Sequence, residues 1–105
     1  DVSQTLQIRS SQYDDDGSWM FVDPLPGAFT VNVGDMLSRW TNGIYKSTPH
    51  RVLRPTGGRI SCPFFFEPNY SAVISPIPEL VQRSKKPLSF EPIRYGEYLW
   101  KKTNS

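Results

Sequence analysis

The chain has 105 residues, 37% hydrophobic and 13% aromatic, with a formal net charge of +2. That length suits one domain or part of one. Ten prolines argue against a helical bundle, because each fixes φ and removes a backbone donor, and the single cysteine excludes an internal disulfide or a Cys-x-x-Cys zinc site.

Thr5 to Arg9 alternates apolar and polar residues and predicts a short strand. Asp14-Asp15-Asp16-Gly17 reads as a solvated hairpin tip; adjacent side chains diverge in a turn and the ligand spacing of a calcium loop is missing. Trp19 to Val22 is the second strand. Pro24, Pro26 and Gly27 punctuate a loop, after which Ala28 to Val33 alternates, Phe29, Val31 and Val33 on one face. Met36 to Thr41 suits either a helical turn or a strand. The Asn42-Gly43 that follows is the favoured pair for a two-residue hairpin turn, which favours the strand. Ile44 to Leu53 returns, with Pro49 pointing to an edge or bulge beside His50. After Thr56-Gly57-Gly58, Arg59 to Phe66 predicts another strand, with Arg59 and Ser61 on one face and Cys62 buried among apolar residues on the other. Beyond it, Pro78 to Val81 suits one helical turn. Tyr95, Tyr98 and Leu99 stand at helical spacing in a short C-terminal helix lying against the sheet. Short strands with frequent tight turns predict an all-β sandwich or barrel, its Trp and Phe residues mainly in the core.

The stretch from Asn42 to Phe66 carries the chemistry. It holds the only histidine, His50, and nine residues later an Arg-x-Ser pair, Arg59 and Ser61. Imidazole is a transition-metal ligand, and a guanidinium beside a hydroxyl grips a carboxylate. One histidine alone cannot make a two-histidine metal site. Basic residues form no run of five, so a nucleic-acid surface is not indicated; Lys85-Lys86 and Lys101-Lys102 read as solvated surface. No stretch approaches the roughly 20 apolar residues of a membrane span. The start, Asp1 to Gln4, lacks the features of a signal peptide, which together with the lack of disulfides favours a cytoplasmic setting.

Asp23 to Asp35, then Trp40-Thr41-Asn42-Gly43-x-Tyr45-Lys46-Ser47-Thr48-x-His50-Arg51-Val52, resembles the C-terminal half of an Fe(II)- and 2-oxoglutarate-dependent dioxygenase of the isopenicillin-N-synthase-like branch. Arg59-x-Ser61, Phe64-Phe65-x-x-Pro68-Asn69 and Pro76-x-Pro78-Glu79 continue the likeness, which runs from about Leu6 to Leu99. The resemblance implies a double-stranded β-helix, a jelly roll, of which residues 1–105 would be the C-terminal part of a single domain with a short C-terminal helix. It implies an iron centre of two imidazoles and one carboxylate. His50 matches the distal histidine, and Arg59 and Ser61 match the pair that binds the far carboxylate of 2-oxoglutarate. The implied reaction is oxidative decarboxylation of 2-oxoglutarate with O2, coupled to hydroxylation, desaturation or ring closure of a small organic substrate. In the synthase that names the branch, the same Arg-x-Ser pair holds a substrate carboxylate instead.

The family's His-x-Asp pair is absent: His50 is followed by Arg51 and Val52. The pair belongs upstream of the strand matched by Thr5 to Ile8, so the chain is expected to be a fragment, inactive alone and prone to aggregate through unpaired strand edges. The alternative is a non-catalytic jelly-roll binding module, or an inactive truncated product, without the iron site. The oligomeric state is not legible.

Overall fold

Alternation along Leu6-Gln7-Ile8-Arg9 is realised as a central strand. In the structure, a computed structural model that describes residues 5–9 and 18–105, β1 (Leu6–Arg9) lies between β2 (Trp19–Phe21) and β3 (His50–Val52), antiparallel to both. The Asp14 to Gly17 turn lies outside the described residues. Register sets Ile8 opposite both Met20 and His50, and Gln7 opposite both Phe21 and Arg51. The pairing runs one residue past each end of β3: Arg9 N–H donates to Pro49 O at 2.9 Å, and Leu53 N–H to Thr5 O at 2.8 Å. Pro49, which cannot donate, therefore stands at an edge strand, as its chemistry requires. This sheet belongs to one of two compact units, residues 1–32 with 48–63; the other is residues 33–47 with 64–105.

In the second unit, the segment favoured as a strand is helix α1 (Asp35–Trp40). The reason lies in its end. Asn42 and Gly43 both have positive φ, 50° and 79°, the backbone requirement that makes Asn-Gly a hairpin signal. Here the pair closes a helix instead. Gly43 N–H donates to Ser38 O at 2.8 Å and Asn42 N–H to Arg39 O at 3.2 Å, the two bonds of a Schellman motif. The sequence signal specified the dihedrals but not the element before them.

Two other strand expectations also fail. Neither Ala28 to Val33 nor Arg59 to Phe66 forms a strand among the described residues. Alternation reports which side chains share a face; a ladder also needs a neighbour's N–H and C=O groups. Pro63 further removes a donor in the middle of the second stretch. The consequence is exposure: Phe29 is 97% and Phe66 95% exposed, and Cys62 is exposed rather than buried. The aromatic core expected from composition is accordingly small. Its fully packed apolar members among the described residues are Ile74 and Tyr95.

These two sit where β4 (Val73–Ile74) pairs antiparallel with β5 (Ile93–Arg94), from which α3 (Tyr95–Thr103) continues directly. Tyr95 N–H and Gly96 N–H donate to Ala72 O and Tyr70 O at 2.8 and 2.9 Å, tying the first turn of α3 to the preceding loop. Gly96 is required there, since a Cβ would collide with the Tyr70 ring. Burial pushes the Tyr95 phenol up to about 12, helped by its hydrogen bond to Glu67. The predicted helical turn at Pro78 is α2 (Pro78–Ser84), opened by proline in its first turn and closed by Lys85 in the left-handed region. Three helices thus stand beside five short strands, so the described residues are not purely β.

The C-terminal helix forms as expected, but its side-chain ties run to α1. Tyr98 Oη and Lys102 Nζ both donate to Asp35 Oδ2, and Lys102 Nζ lies 3.1 Å from Tyr98 Oη. Arg39 stacks 5.2 Å from the Phe90 ring centroid and 5.6 Å from that of Tyr98. The Lys102, Tyr98 and Ser47 hydrogen bonds hold the Asp35 carboxyl well below the usual carboxylate range. A depressed carboxylate stabilises the fold above its unfolded pKa and loses that contribution as pH falls. Burial raises the Tyr98 phenol, and the Asp35 bond raises the Lys102 ammonium. Raised groups contribute below their unfolded values and lose that as pH rises. The tie is therefore expected to weaken below about pH 4 and again above about pH 10. Asp35→Asn should flatten the acid arm of a urea-midpoint-against-pH curve and cost about 0.5–1 kcal/mol at neutral pH, the ion pair being largely solvated.

Candidate functional site

His50 opens β3, placed by three constraints: Pro49 before it, the pairing with Ile8, and its own ring. Nδ1 lies 3.2 Å from Thr48 O. A carbonyl oxygen only accepts, so this contact is a hydrogen bond in the tautomer that carries its proton on Nδ1. In the neutral ring this leaves the Nε2 lone pair without a proton and available to a metal or an acid, and the side chain is exposed. The bond from Nδ1 to a backbone carbonyl is the kind of outer contact that orients a metal-binding imidazole.

The strand that carries His50 is fixed from its other face. Arg51 Nε donates to Gln7 Oε1 at 2.8 Å across the ladder, and its guanidinium lies 4.1 Å from the Trp19 ring centroid on β2. Gln7 is buried despite being polar, so its amide needs that partner. One side chain thus bridges all three strands, with His50 on the alternate face. Sequence reasoning missed both supports. A backbone acceptor such as Thr48 O has no residue signature, and the Gln7–Arg51 pairing is visible only once the register is known.

Arg59 and Ser61 fall in the same unit as His50. Arg59 is half-buried and already engaged in an interaction of its own; Ser61 is exposed. They lie in irregular chain rather than on a strand face, which removes the shared-face argument for their joint action but leaves the chemistry of guanidinium and hydroxyl unchanged.

An iron held by two imidazoles and a carboxylate requires three converging side chains. Among the described residues, no group of three or more His, Cys, Asp or Glu could hold a metal ion. His50 fits one ligand position, and the described residues do not complete the centre. Among the described residues, no helix is long and apolar enough to cross a membrane.

The site region thus presents an exposed edge-strand imidazole, His50, followed in the same unit by Arg59 and Ser61. The family model of the 2OG-Fe(II) oxygenase superfamily matches residues 2–68, a span that includes His50, Arg59 and Ser61. The chain belongs to this superfamily, whose members use Fe(II) and 2-oxoglutarate. It is 39% identical over 98 residues to homoarginine-6-hydroxylase 2-ODD-233 of Oryza sativa subsp. japonica, covering 92% of this chain and 29% of that protein. It is 40% identical over 95 residues to thebaine 6-O-demethylase of Papaver somniferum, covering 90% of this chain and 26% of that protein. Among solved structures, a full-length Neurospora crassa protein in complex with alpha-KG superimposes with a TM-score of 0.77 at 30% identity, over 100% of this chain and 33% of that one. The rice dioxygenase for auxin oxidation gives 0.72 at 27% identity, over 96% and 33%. The chain thus spans between a quarter and a third of the length of these relatives.

Proposed function

We propose that residues 1–105 are the C-terminal part of a single catalytic domain, a portion of a double-stranded β-helix. The complete cytoplasmic enzyme couples 2-oxoglutarate decarboxylation to oxidation of a small organic substrate. The observation that carries this reading is the placement of His50: it is exposed on an edge strand with Nδ1 3.2 Å from Thr48 O, so the tautomer that makes this bond leaves Nε2 as the free donor atom. His50 is assigned as one iron ligand. Arg59 and Ser61 are assigned to the far carboxylate of 2-oxoglutarate, the guanidinium through a planar fork and the hydroxyl as a second donor. The relatives' names support the class, since they include a hydroxylase and a demethylase of small molecules.

The test is Arg59→Lys in the complete protein. Lysine keeps the charge and loses the fork, so KM for 2-oxoglutarate should rise at least about tenfold with a smaller change in kcat. An unchanged KM would assign the pair to another carboxylate. A second reading, a binding module that has lost its iron, draws on the missing ligand cluster among the described residues. The upstream reading frame separates the two: a His-x-Asp pair shortly before the matched region supports the enzyme, and its absence supports the module.

A further inference from the structure

We propose that Asn42 is a spontaneous deamidation site that the fold holds in check, and whose conversion irreversibly opens the seam between α1 and the segment after α2. The sequence supplies the reactivity. Asn42 precedes Gly43, and a residue without Cβ gives its amide nitrogen the freest approach to the preceding side chain. Gly43 N attacks Asn42 Cγ, forming a C–N bond. The Cγ–Nδ2 bond breaks and ammonia leaves, carrying the proton from Gly43 N. Water then opens the resulting succinimide to aspartate or isoaspartate.

The structure supplies the restraint. Asn42 is 1% exposed. Its Nδ2 donates to Ser84 Oγ at 3.2 Å and to Pro87 O at 3.1 Å, while its Oδ1 accepts from Ser89 N–H at 2.9 Å. The attacking nitrogen is occupied too, donating to Ser38 O at 2.8 Å. Ring closure consumes Nδ2 and the Gly43 proton, so it removes both side-chain donations and one bond of the α1 cap. The chemistry cannot proceed while the latch is shut.

The latch also has a fixed polarity. Ser84 Oγ spends its hydrogen on Val81 O at 2.7 Å, and Pro87 O has only lone pairs. Both accept from the amide; Pro87 O cannot donate to a carboxylate, and Ser84 Oγ does so only by releasing Val81 O. After conversion an anionic oxygen faces Pro87 O and costs Ser84 its bond to Val81 O, an arrangement that disfavours reclosure.

The experiment incubates the full chain at neutral pH, folded and in urea, and reads the tryptic peptide Trp40–Lys46 by mass and isoaspartate content. In urea, Asn42 should convert first of the four asparagines, ahead of Asn32, Asn69 and Asn104. In the folded chain its rate should fall at least about tenfold, following the population of locally opened molecules. Equal rates in both states, or a faster asparagine elsewhere in urea, would overturn the proposal. Ser84→Ala removes one acceptor and leaves Asn42 intact, so it should speed folded-state conversion; an unchanged rate contradicts the latch. The purified aspartate form should unfold at lower urea than the unmodified chain, and an unchanged midpoint contradicts its irreversible opening.

Discussion

Replacing His50 by alanine in the complete protein is expected to lower iron-dependent succinate formation at least about a hundredfold, since loss of merely an outer partner of a metal-bound histidine costs about 10–100-fold. The folded state should be almost untouched. The side chain is exposed, and its ring contacts Thr48 O. Activity and thermal midpoint, measured on the same preparation, separate loss of a ligand from loss of the strand. Arg51→Ala should show the reverse balance, because it removes the side chain that joins Gln7 to Trp19 across three strands.

Asn42→Ala is expected to cost about 2–4 kcal/mol in the second unit, the largest stability effect of a single side chain there. Three part-buried hydrogen bonds disappear together, each worth about 0.5–1.5 kcal/mol net, with incomplete additivity. Alanine also tolerates the φ of 50° poorly. Asn42→Gly isolates the two contributions: it relieves the backbone and still lacks the carboxamide, so it should recover only the smaller part. Urea midpoints followed by tryptophan fluorescence and far-UV circular dichroism measure both.

What was legible in the sequence follows the range of each signal. The strands of the first unit are local: Leu6 to Arg9 alternates, Trp19 to Phe21 is a short apolar run, and Pro49 marks the edge that His50 occupies. Pro78 and the Tyr95, Tyr98, Leu99 spacing located α2 and α3 for the same reason. Asn42-Gly43 misled because two consecutive positive φ values serve both a hairpin and a helix end, and only the chain before them decides. Phe29, Phe64 and Phe66 misled because composition cannot tell whether a partner surface is present. Family likeness singled out His50, Arg59 and Ser61. The contacts that orient or restrain, Thr48 O on His50 and Ser84, Pro87 and Ser89 on Asn42, are backbone atoms or residues more than forty positions away, beyond any periodicity.

His50 is proposed as a single ligand of a centre that the described residues do not complete. The direct measurement is bound Fe(II) per chain under anaerobic conditions after removal of loose metal, for the 105-residue chain and for the complete protein. The expected result is no stoichiometric iron on the former and one Fe(II) on the latter, lost again in His50→Ala. One tightly held Fe(II) on the 105-residue chain, or full occupancy that survives His50→Ala, would contradict it.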